Sequence, residues 1–273
     1  MFESIRPSAL VFVAATIAVV PCTAFAQGQT EPPTVRDNCV KVEPGKGAEF
    51  EAYLKDVTVP LARSRAESGE FAWFLVASSV VPSGSSAPCD YRIVYGYKGL
   101  PAEPLSNDAL AAAVKRAKLP MTADQMLAKR NALSHLVKVE IWSRVDGIGP
   151  DTEKDNYVRL NHYQVKQGEF SEWLRLEKSI WKPLMEAWLK AGGKGAWSVN
   201  ALEMPGGDST PYNGLTVDLF PDWTGLMHGV PVNQLWTKVH PDVDITAAFN
   251  RLDKVRSIHD VEVYKVVDIV KAK

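Results

Sequence analysis

An excess of charge of one sign is missing from this sequence: 31 lysines and arginines stand against 32 aspartates and glutamates, which leaves a formal net charge of −1. A near-neutral chain has no broad electrostatic attraction to nucleic acid or to an anionic membrane. With 46% hydrophobic and 23% charged residues, the composition is that of an ordinary globular protein, which excludes a disordered, collagen-like or disulfide-dense chain. We therefore predict no nucleic-acid partner.

Recognisable catalytic and cofactor-binding motifs are also lacking. The sequence contains no H-E-x-x-H, C-x-x-C, G-x-S-x-G, G-x-G-x-x-G or P-loop pattern, so it predicts neither a metal nor a cofactor. A haem ligand or proton donor stays open as an alternative, because His228 and His240 lie in a long segment between Trp223 and Asp244. His162, in phase with apolar neighbours, is interpreted as a core histidine. Catalytic residues are unknown at this stage.

A long apolar run occurs only near the amino terminus. After Arg6, largely apolar residues run from Ala9 to Val20, and Ala24-Phe25-Ala26 supplies an A-x-A cleavage site. Residues 1–26 are therefore predicted to be a signal peptide cleaved after Ala26, which predicts a periplasmic or secreted protein. An uncleaved anchor is disfavoured, because the run makes only ~18 Å of helix against a hydrocarbon core of ~30 Å. No membrane partner is predicted after cleavage.

Only Cys39 and Cys89 follow the predicted signal peptide. An oxidising compartment favours a disulfide between them. The strand positions argued below oppose it: Cys39 is predicted to begin a strand and Cys89 to precede its antiparallel neighbour, about a strand length or ~17 Å away. A disulfide needs Cα atoms roughly 4.4–6.8 Å apart. The sequence leaves this bridge open.

The chain repeats itself with a period of about 120 residues. G-A-E-F-E-A-Y-L at 47–54 matches Q-G-E-F-S-E-W-L at 167–174, with Phe50 over Phe170. Pro60 then corresponds to Pro183, if three extra residues are allowed in the second half. L-S-H-L-V-K-V-E-I-W-S-R-V-D at 133–146 aligns with 255–268 without a gap. We predict a first half over 27–148 and a second half over 149–273, with a linker at 146–155.

Each half shows the same order of periodicities. Alternating segments at 39–43 and 157–165 indicate first strands, and helical apolar spacing follows each of them. Hairpins are predicted from 71–81 with 91–97 and from 196–202 with 215–220; a shorter helix and last strands at 135–144 and 258–267 complete the halves. This order predicts an α+β fold of two tandem ferredoxin-like βαββαβ units.

The element order and the G-x-E-F-x-x-[YW]-L helix start resemble the dimeric α/β-barrel (ferredoxin-like) superfamily, and more loosely its NIPSNAP-like branch, in a tandem single-chain form. The resemblance implies an intramolecular α/β-barrel with helices outside, and a monomer with pseudo-dimeric halves. The superfamily includes cofactor-independent monooxygenases, haem-dependent enzymes and members without known activity. The resemblance therefore implies no single reaction.

A Glu followed two residues later by an aromatic residue occurs in both last strands, on the face expected to point into the barrel. With polar residues of the first strands, these side chains are predicted to line a pocket for a small apolar or aromatic ligand. The predicted ligand-binding residues are Lys41, Glu140, Trp142, Asn161, Tyr163, Glu262 and Tyr264. The alternative is a filled interior in which the carboxylates pair with Lys41, Lys138 or Arg159.

Three functions remain open on the sequence. An exported small-molecule binding protein is favoured slightly. A cofactor-independent monooxygenase-like or haem-binding barrel enzyme requires a polar constellation around an open space. A structural or interaction protein requires a filled barrel and exposed apolar surface.

Overall fold

Eight antiparallel strands close into one barrel in the computed structural model, which describes residues 33–101, 103–149, 155–207, 210–228 and 232–272. The strands are β1 (Thr34–Val42), β2 (Trp73–Val81), β3 (Tyr91–Tyr97), β4 (Ser134–Ile148), β5 (Tyr157–Val165), β6 (Ala196–Met204), β7 (Gly214–Phe220) and β8 (Arg256–Lys271). Their order is β1-β3-β2-β8-β5-β7-β6-β4, and β4 pairs back to β1. The predicted signal peptide lies outside the described residues.

Helices follow the first and third strands of each half. They are α1 (Gly47–Tyr53), α2 (Val59–Glu67), α3 (Asn107–Arg116), α4 (Ala123–Leu133), α5 (Phe170–Leu176), α6 (Lys182–Lys190), α7 (Trp223–His228), α8 (Val232–Val239) and α9 (Ile245–Val255). A turn of π-helix joins α1 to α2 and another joins α5 to α6. Among the described residues, no helix combines the length and the apolar character needed to cross a membrane.

The elements of the two halves correspond one to one at the strands. β5, β6 and β7 each begin 123 residues after β1, β2 and β3, and β8 begins 122 residues after β4. The strand order is β4-β1-β3-β2 in one half and β8-β5-β7-β6 in the other, and the β2–β8 and β4–β6 pairs join their edges. The predicted α+β class and antiparallel sheet are confirmed.

The predicted alignment of the first helices is wrong by about one turn. The constant offset of 123 residues runs from β1 to Pro60 and Pro183, so Phe50 corresponds to Trp173 and not to Phe170. No insertion is needed before Pro183. Residues three apart in a helix share a face, so a match that is shifted by three residues still aligns apolar residues with apolar residues.

Cys39 and Cys89 form a disulfide, with 5.2 Å between their Cα atoms. The predicted separation of the two cysteines is wrong because β1 begins at Thr34, five residues before the predicted start. Cys39 therefore lies near the end of β1, and the antiparallel pairing of β1 with β3 places that end beside the residues just before Tyr91. The Thr-Val-Arg-Asp-Asn start of β1 is polar and lacks clean alternation, which concealed it.

Three hydrophobic clusters hold the fold together. One lies between α1, α2 and α4 and the outer face of the first-half strands; a second lies between α5, α6 and α9 and the second-half strands. The third consists of strand residues and Tyr212, and includes Trp142, Leu160 and Tyr264. We call this third region the barrel interior. Each strand thus has one face towards the barrel interior and one towards helices.

Candidate functional site

The barrel interior brings together four of the seven predicted site residues. Glu140 and Trp142 of β4 lie near Glu262 and Tyr264 of β8, and all four are buried. The strands place them there because side chains two residues apart in a strand share a face. Their predicted inward orientation is correct.

Arg92 of β3 is the centre of an ion cluster in this interior. Its Nη1 donates to Oδ2 of Asp37 at 2.6 Å, and its Nη2 donates to both carboxylate oxygens of Glu262 at 3.0 and 3.2 Å. Nη1 also lies 3.7 Å from Oε2 of Glu140, whose other oxygen accepts from Lys138 at 3.0 Å. The carboxylates are thus paired, as the filled-interior alternative expected, although with Arg92 as the main partner. Arg92 was not predicted as a site residue, because a charged residue in a hairpin strand is expected to face solvent.

Burial and hydrogen bonding set the charge states of this ion cluster. Burial raises the pKa of Asp37. Burial would also raise the pKa of Glu140, but Lys138 and the hydroxyl of Tyr212 hold it below its usual range. Burial raises the pKa of Tyr212 and Tyr264, so both phenols stay protonated and donate to the carboxylates of β4 and β8. The cluster therefore fixes the strands to one another.

His162 and Tyr212 close the barrel interior beyond the ion cluster. The His162 ring stacks on Tyr212 at 4.3 Å between centroids, and its Nδ1 lies 2.5 Å from Oδ1 of Asp260. By the offset of 123 residues, His162 and Tyr212 occupy the positions of Cys39 and Cys89, so an aromatic stack replaces the disulfide. Tyr212 lies in a connection without periodicity, and no sequence signal indicated it.

His162, Asp260 and Glu262 offer ligand atoms within 4.8 Å of one another, the spacing of a metal site. Arg92, however, occupies both oxygens of Glu262, and a metal ion there would face its guanidinium. The arrangement favours an ion pair over a bound cation.

Asn161 and Tyr163 do not face the barrel interior, and their predicted placement is wrong. β5 directs Val158 and Leu160 into the interior cluster, so its odd-numbered residues lie under the helices. Nδ2 of Asn161 donates to Oδ2 of Asp218 at 2.8 Å on that outer side. The alternation of β5 is correctly predicted, but the polarity of its two faces does not show which of them points into the barrel.

Lys41 is also absent from the barrel interior. The pairing of β1 with β4 shifts register between Cys39 and Val40, which turns the end of the strand away. Lys41 is left half-buried, with its Nζ 2.9 Å from Oδ1 of Asp90. It ties β1 to the residue before β3.

Above the ion cluster, the barrel interior contains a cavity of about 110 Å³. Most of its wall is apolar, from strands of both halves. Polar groups come from Asp37, Arg92, Trp142, Arg144, Ser198, Asn200, Tyr264 and Lys271. Lys271, which is exposed, stands at its mouth. We call it the interior cavity.

A larger cavity, of about 580 Å³, lies in the first half between the outer face of β1 and β3 and helices α1, α2 and α4. We call it the sheet–helix cavity. Phe50, Tyr53 and Leu61 of the first helices face Ile93 and Tyr95 of β3 across it. The rest of the wall comes from Arg36, Asn38, Val40, Thr58, Ala62, Arg65, Tyr97, Glu103, Pro104, Leu105, Asn107, Leu110, Met126, Leu127, Arg130, Asn131, Ser134, His135 and Leu136. The wall is apolar and aromatic over most of its area, and ten of its residues have polar or charged side chains.

Three arginines outnumber the one carboxylate in the wall of the sheet–helix cavity, that of Glu103, and give the cavity its positive charge. Arg65 is held by Glu70, 2.7 Å away, and its guanidinium lies 5.6 Å from the ring centre of Tyr95. Burial raises the pKa of Tyr95, while Arg65, Arg36 and Arg130 act against that rise, so all three cations lie near one neutral phenol. Within the described ranges, Arg36 and Arg130 form no ion pair. These residues were not predicted, because they are spread over β1, α2 and α4.

Larger side chains stand at the positions of the second half that match the wall of the sheet–helix cavity. Five positions change in size between the halves: Val40 and Tyr163, Phe50 and Trp173, Ala62 and Met185, Arg65 and Trp188, and Ser134 and Arg256. The Arg256 guanidinium lies 3.8 Å from the ring centre of Tyr163, and its Nε lies 3.3 Å from Oε1 of the buried Glu177. These larger side chains occupy the part of the second half that corresponds to the sheet–helix cavity of the first.

The histidines considered as haem ligands do not fit that role. Nε2 of His240 donates to the backbone oxygen of Ile180, 2.9 Å away, and His240 directly follows the end of α8. His228 ends α7, outside both cavities. His135 is the histidine at the sheet–helix cavity, but its side chain is 60% exposed and its Nδ1 is bound to Glu43 at 2.8 Å. No buried imidazole is available to ligate iron among the described residues of that cavity.

No protein-family model matches the chain, and no curated protein matches it. A candidate monooxygenase from Lactobacillus acidophilus NCFM superposes with a TM-score of 0.52 and 10% identity, over 89% of this chain and 97% of that one. A candidate monooxygenase from Fusobacterium nucleatum gives 0.55 and 9%, over 88% and 95%. A haem-binding protein from Thermus thermophilus gives 0.44 and 13%, over 87% and 92%. The chain therefore shares the α+β fold of the two candidate monooxygenases.

Proposed function

We propose that the protein binds a small anionic molecule with an apolar or aromatic body in the sheet–helix cavity. The observation that carries the proposal is the cavity itself, whose 580 Å³ falls within the ~300–1,000 Å³ typical of small-molecule sites. Its aromatic residues suit a ring, and its arginines suit one negatively charged end. The interior cavity is too small to be the main site for such a molecule.

The charge of the ligand follows from the arginines. Arg65 is neutralised by Glu70, whereas Arg36 and Arg130 have no carboxylate partner among the described residues. A carboxylate, sulfonate or phenolate would supply that partner through charge-assisted hydrogen bonds. Tyr95, neutral because burial raises its pKa, can donate a further hydrogen bond.

Two fluorescent probes of similar shape test the proposal. 8-Anilinonaphthalene-1-sulfonate carries a sulfonate, and N-phenyl-1-naphthylamine has the same rings without it. We expect the sulfonate to bind more tightly, and Arg36→Leu to weaken it about tenfold, the effect of one charge-assisted hydrogen bond, while the neutral amine is unaffected. Arg63→Leu, an exposed change on α2 outside the cavity, is the matched control. Equal loss of both probes in Arg36→Leu would refute the assigned charge.

A second candidate function is oxygenation of such a ligand without a bound cofactor. Its support is the similarity of fold to the two candidate monooxygenases. Arg36 and Arg130 would then hold a phenolic substrate as its electron-rich anion. Oxygen uptake measured with electron-rich phenols, in the parent and in Arg36→Leu, tests this proposal. If no phenol that displaces the sulfonate probe raises oxygen uptake above the protein-free rate, the oxygenase function is refuted and ligand binding remains the proposed function.

We further infer that the chain is two ferredoxin-like units in tandem, forming an intramolecular barrel, and that it is exported and cleaved after Ala26. The common offset of the strands supports the first inference, and the Cys39–Cys89 disulfide supports an oxidising compartment. A NIPSNAP-like origin stays a prediction. Mass spectrometry of the protein from its host tests the cleavage site, and light scattering tests the expected monomer.

A further inference from the structure

We propose that the interior cavity is a second binding site, separate from the sheet–helix cavity, for an uncharged molecule the size of phenol that carries one hydroxyl group. The two cavities lie on opposite faces of the same strands: β3 contributes Ile93 and Tyr95 to one and Arg92 and Val94 to the other. The sheet separates them, so the sites are independent.

The wall of the interior cavity fits a small apolar body. It is formed by aliphatic residues from five strands, namely Val35, Leu75, Val94, Leu160, Val217 and Leu219. Its 110 Å³ is of the same order as the roughly 150 Å³ of a dry, apolar cavity that takes benzene. Since the mouth beside Lys271 reaches the surface, a ring can enter and extend towards it.

The polar side of the cavity selects a hydroxyl group. Three of its lining residues have a buried polar atom without a hydrogen-bond partner in the described chain: Oδ1 of Asp37, Nε of Arg92 and Nε1 of Trp142. Nε and Nε1 are donors, whereas Oδ1 of an ionised Asp37 is an acceptor. A hydroxyl can accept from one donor and donate to Asp37, which relieves two costly buried groups at once.

The surrounding charges exclude an ionic ligand. An anion would approach the carboxylates of Asp37, Glu140 and Glu262, and a cation would approach the guanidinium of Arg92. Arg144 and Lys271 also line the cavity, but each already takes part in an interaction within the chain. Moving either charge into this buried region without a dedicated partner is costly. The interior cavity thus takes neutral molecules and the sheet–helix cavity takes anions.

Phenol and benzene, observed through the methyl signals of valine and leucine by NMR, test the proposal. We expect phenol to shift the signals of Val35, Val94 and Val217 at concentrations below about 10 mM, and to bind more tightly than benzene. Val217→Phe should abolish both effects and leave binding of the naphthalenesulfonate probe unchanged. Trp142→Phe removes the Nε1 donor together with part of the indole ring, and we expect it to weaken phenol about 2- to 10-fold relative to benzene.

Three results would overturn this second site. One is the absence of methyl shifts with either ligand at about 10 mM, which would mean that water alone meets the polar atoms. Another is phenol binding that survives Val217→Phe but is lost in Ala62→Met, which would place phenol in the sheet–helix cavity. The third is equal loss of phenol and benzene in Trp142→Phe; that comparison still decides the question if Val217→Phe does not fold.

Discussion

Replacing Ala62 by the residue of the matching position in the other half should fill the sheet–helix cavity without harming the fold. Ala62 is buried in α2 and lines the cavity, and Met185 occupies the matching position in α6. Ala62→Met therefore introduces a side chain that the same architecture already accommodates. We expect it to abolish binding of the naphthalenesulfonate probe.

The effect on stability can be worked out from the open space. The added chain buries about three heavy atoms, worth about 2 kcal/mol at ~0.8 kcal/mol per methylene, and loses about 1.5 kcal/mol of rotamer entropy. The free energy of unfolding should thus stay unchanged or rise by up to about 1 kcal/mol. In a tightly packed core, the same insertion would cost about 1–3 kcal/mol. The sign of the change in the free energy of unfolding therefore shows whether the sheet–helix cavity has open space beside Ala62.

Ala66 provides the matched control, because it is equally buried on the same helix but does not line the cavity. Urea denaturation of the parent, Ala62→Met and Ala66→Met, with probe titration of each, makes the comparison. We expect Ala66→Met to lose about 1–3 kcal/mol and to keep the probe affinity. Equal destabilisation by both changes, or full probe binding in Ala62→Met, would refute the reasoning.

Three further predictions concern the disulfide and the buried charges of the second half. Replacing both Cys39 and Cys89 by serine opens a loop of sequence separation 50 and should cost about 4 kcal/mol in the chain-entropy model, measured by urea denaturation; a loss below about 1 kcal/mol would contradict it. Burial raises the pKa of Glu177 to about 7, so the free energy of unfolding should fall by about 3 kcal/mol as pH rises from 4.5 through 7. Glu177→Gln should remove that fall, and parallel pH profiles of stability for the parent and the variant would contradict the prediction. Although burial opposes it, Lys194 and other partners lower the pKa of Asp218 to about 2. About 2 kcal/mol present above pH 3.8 should therefore be lost on acidification to pH 2, and Asp218→Asn should lose this dependence in acid denaturation.

The fold was predictable because its signals are local and repeated. β5 and β3 occur at the predicted bounds, Tyr157–Val165 and Tyr91–Tyr97, and the gap-free match of the last strands located β4 and β8. The alternation of β4 and β8 also predicted that Glu140 and Glu262 point into the same barrel interior. Such patterns depend only on which face of a strand is buried.

The sheet–helix cavity could not be predicted, because a cavity arises from differences in side-chain volume between distant elements. Val40, Ala62 and Ser134 are ordinary residues in their own segments, and only the structure shows that Tyr163, Met185 and Arg256 fill the same space in the other half. The arginines of the cavity likewise come from three separate elements. The disulfide was not predicted for a different reason, which is local. The start of β1 lacks the alternation of apolar and polar residues, so the place of Cys39 within the strand was predicted wrongly.

The most direct test of the account is a crystal structure of the protein with the naphthalenesulfonate probe bound. The account predicts the naphthalene ring between the outer face of β3 and helices α1 and α2, with the sulfonate within hydrogen-bond distance of Arg36 or Arg130. A probe seated in the barrel interior, in the second half or on the outer surface, with the sheet–helix cavity closed, would contradict it.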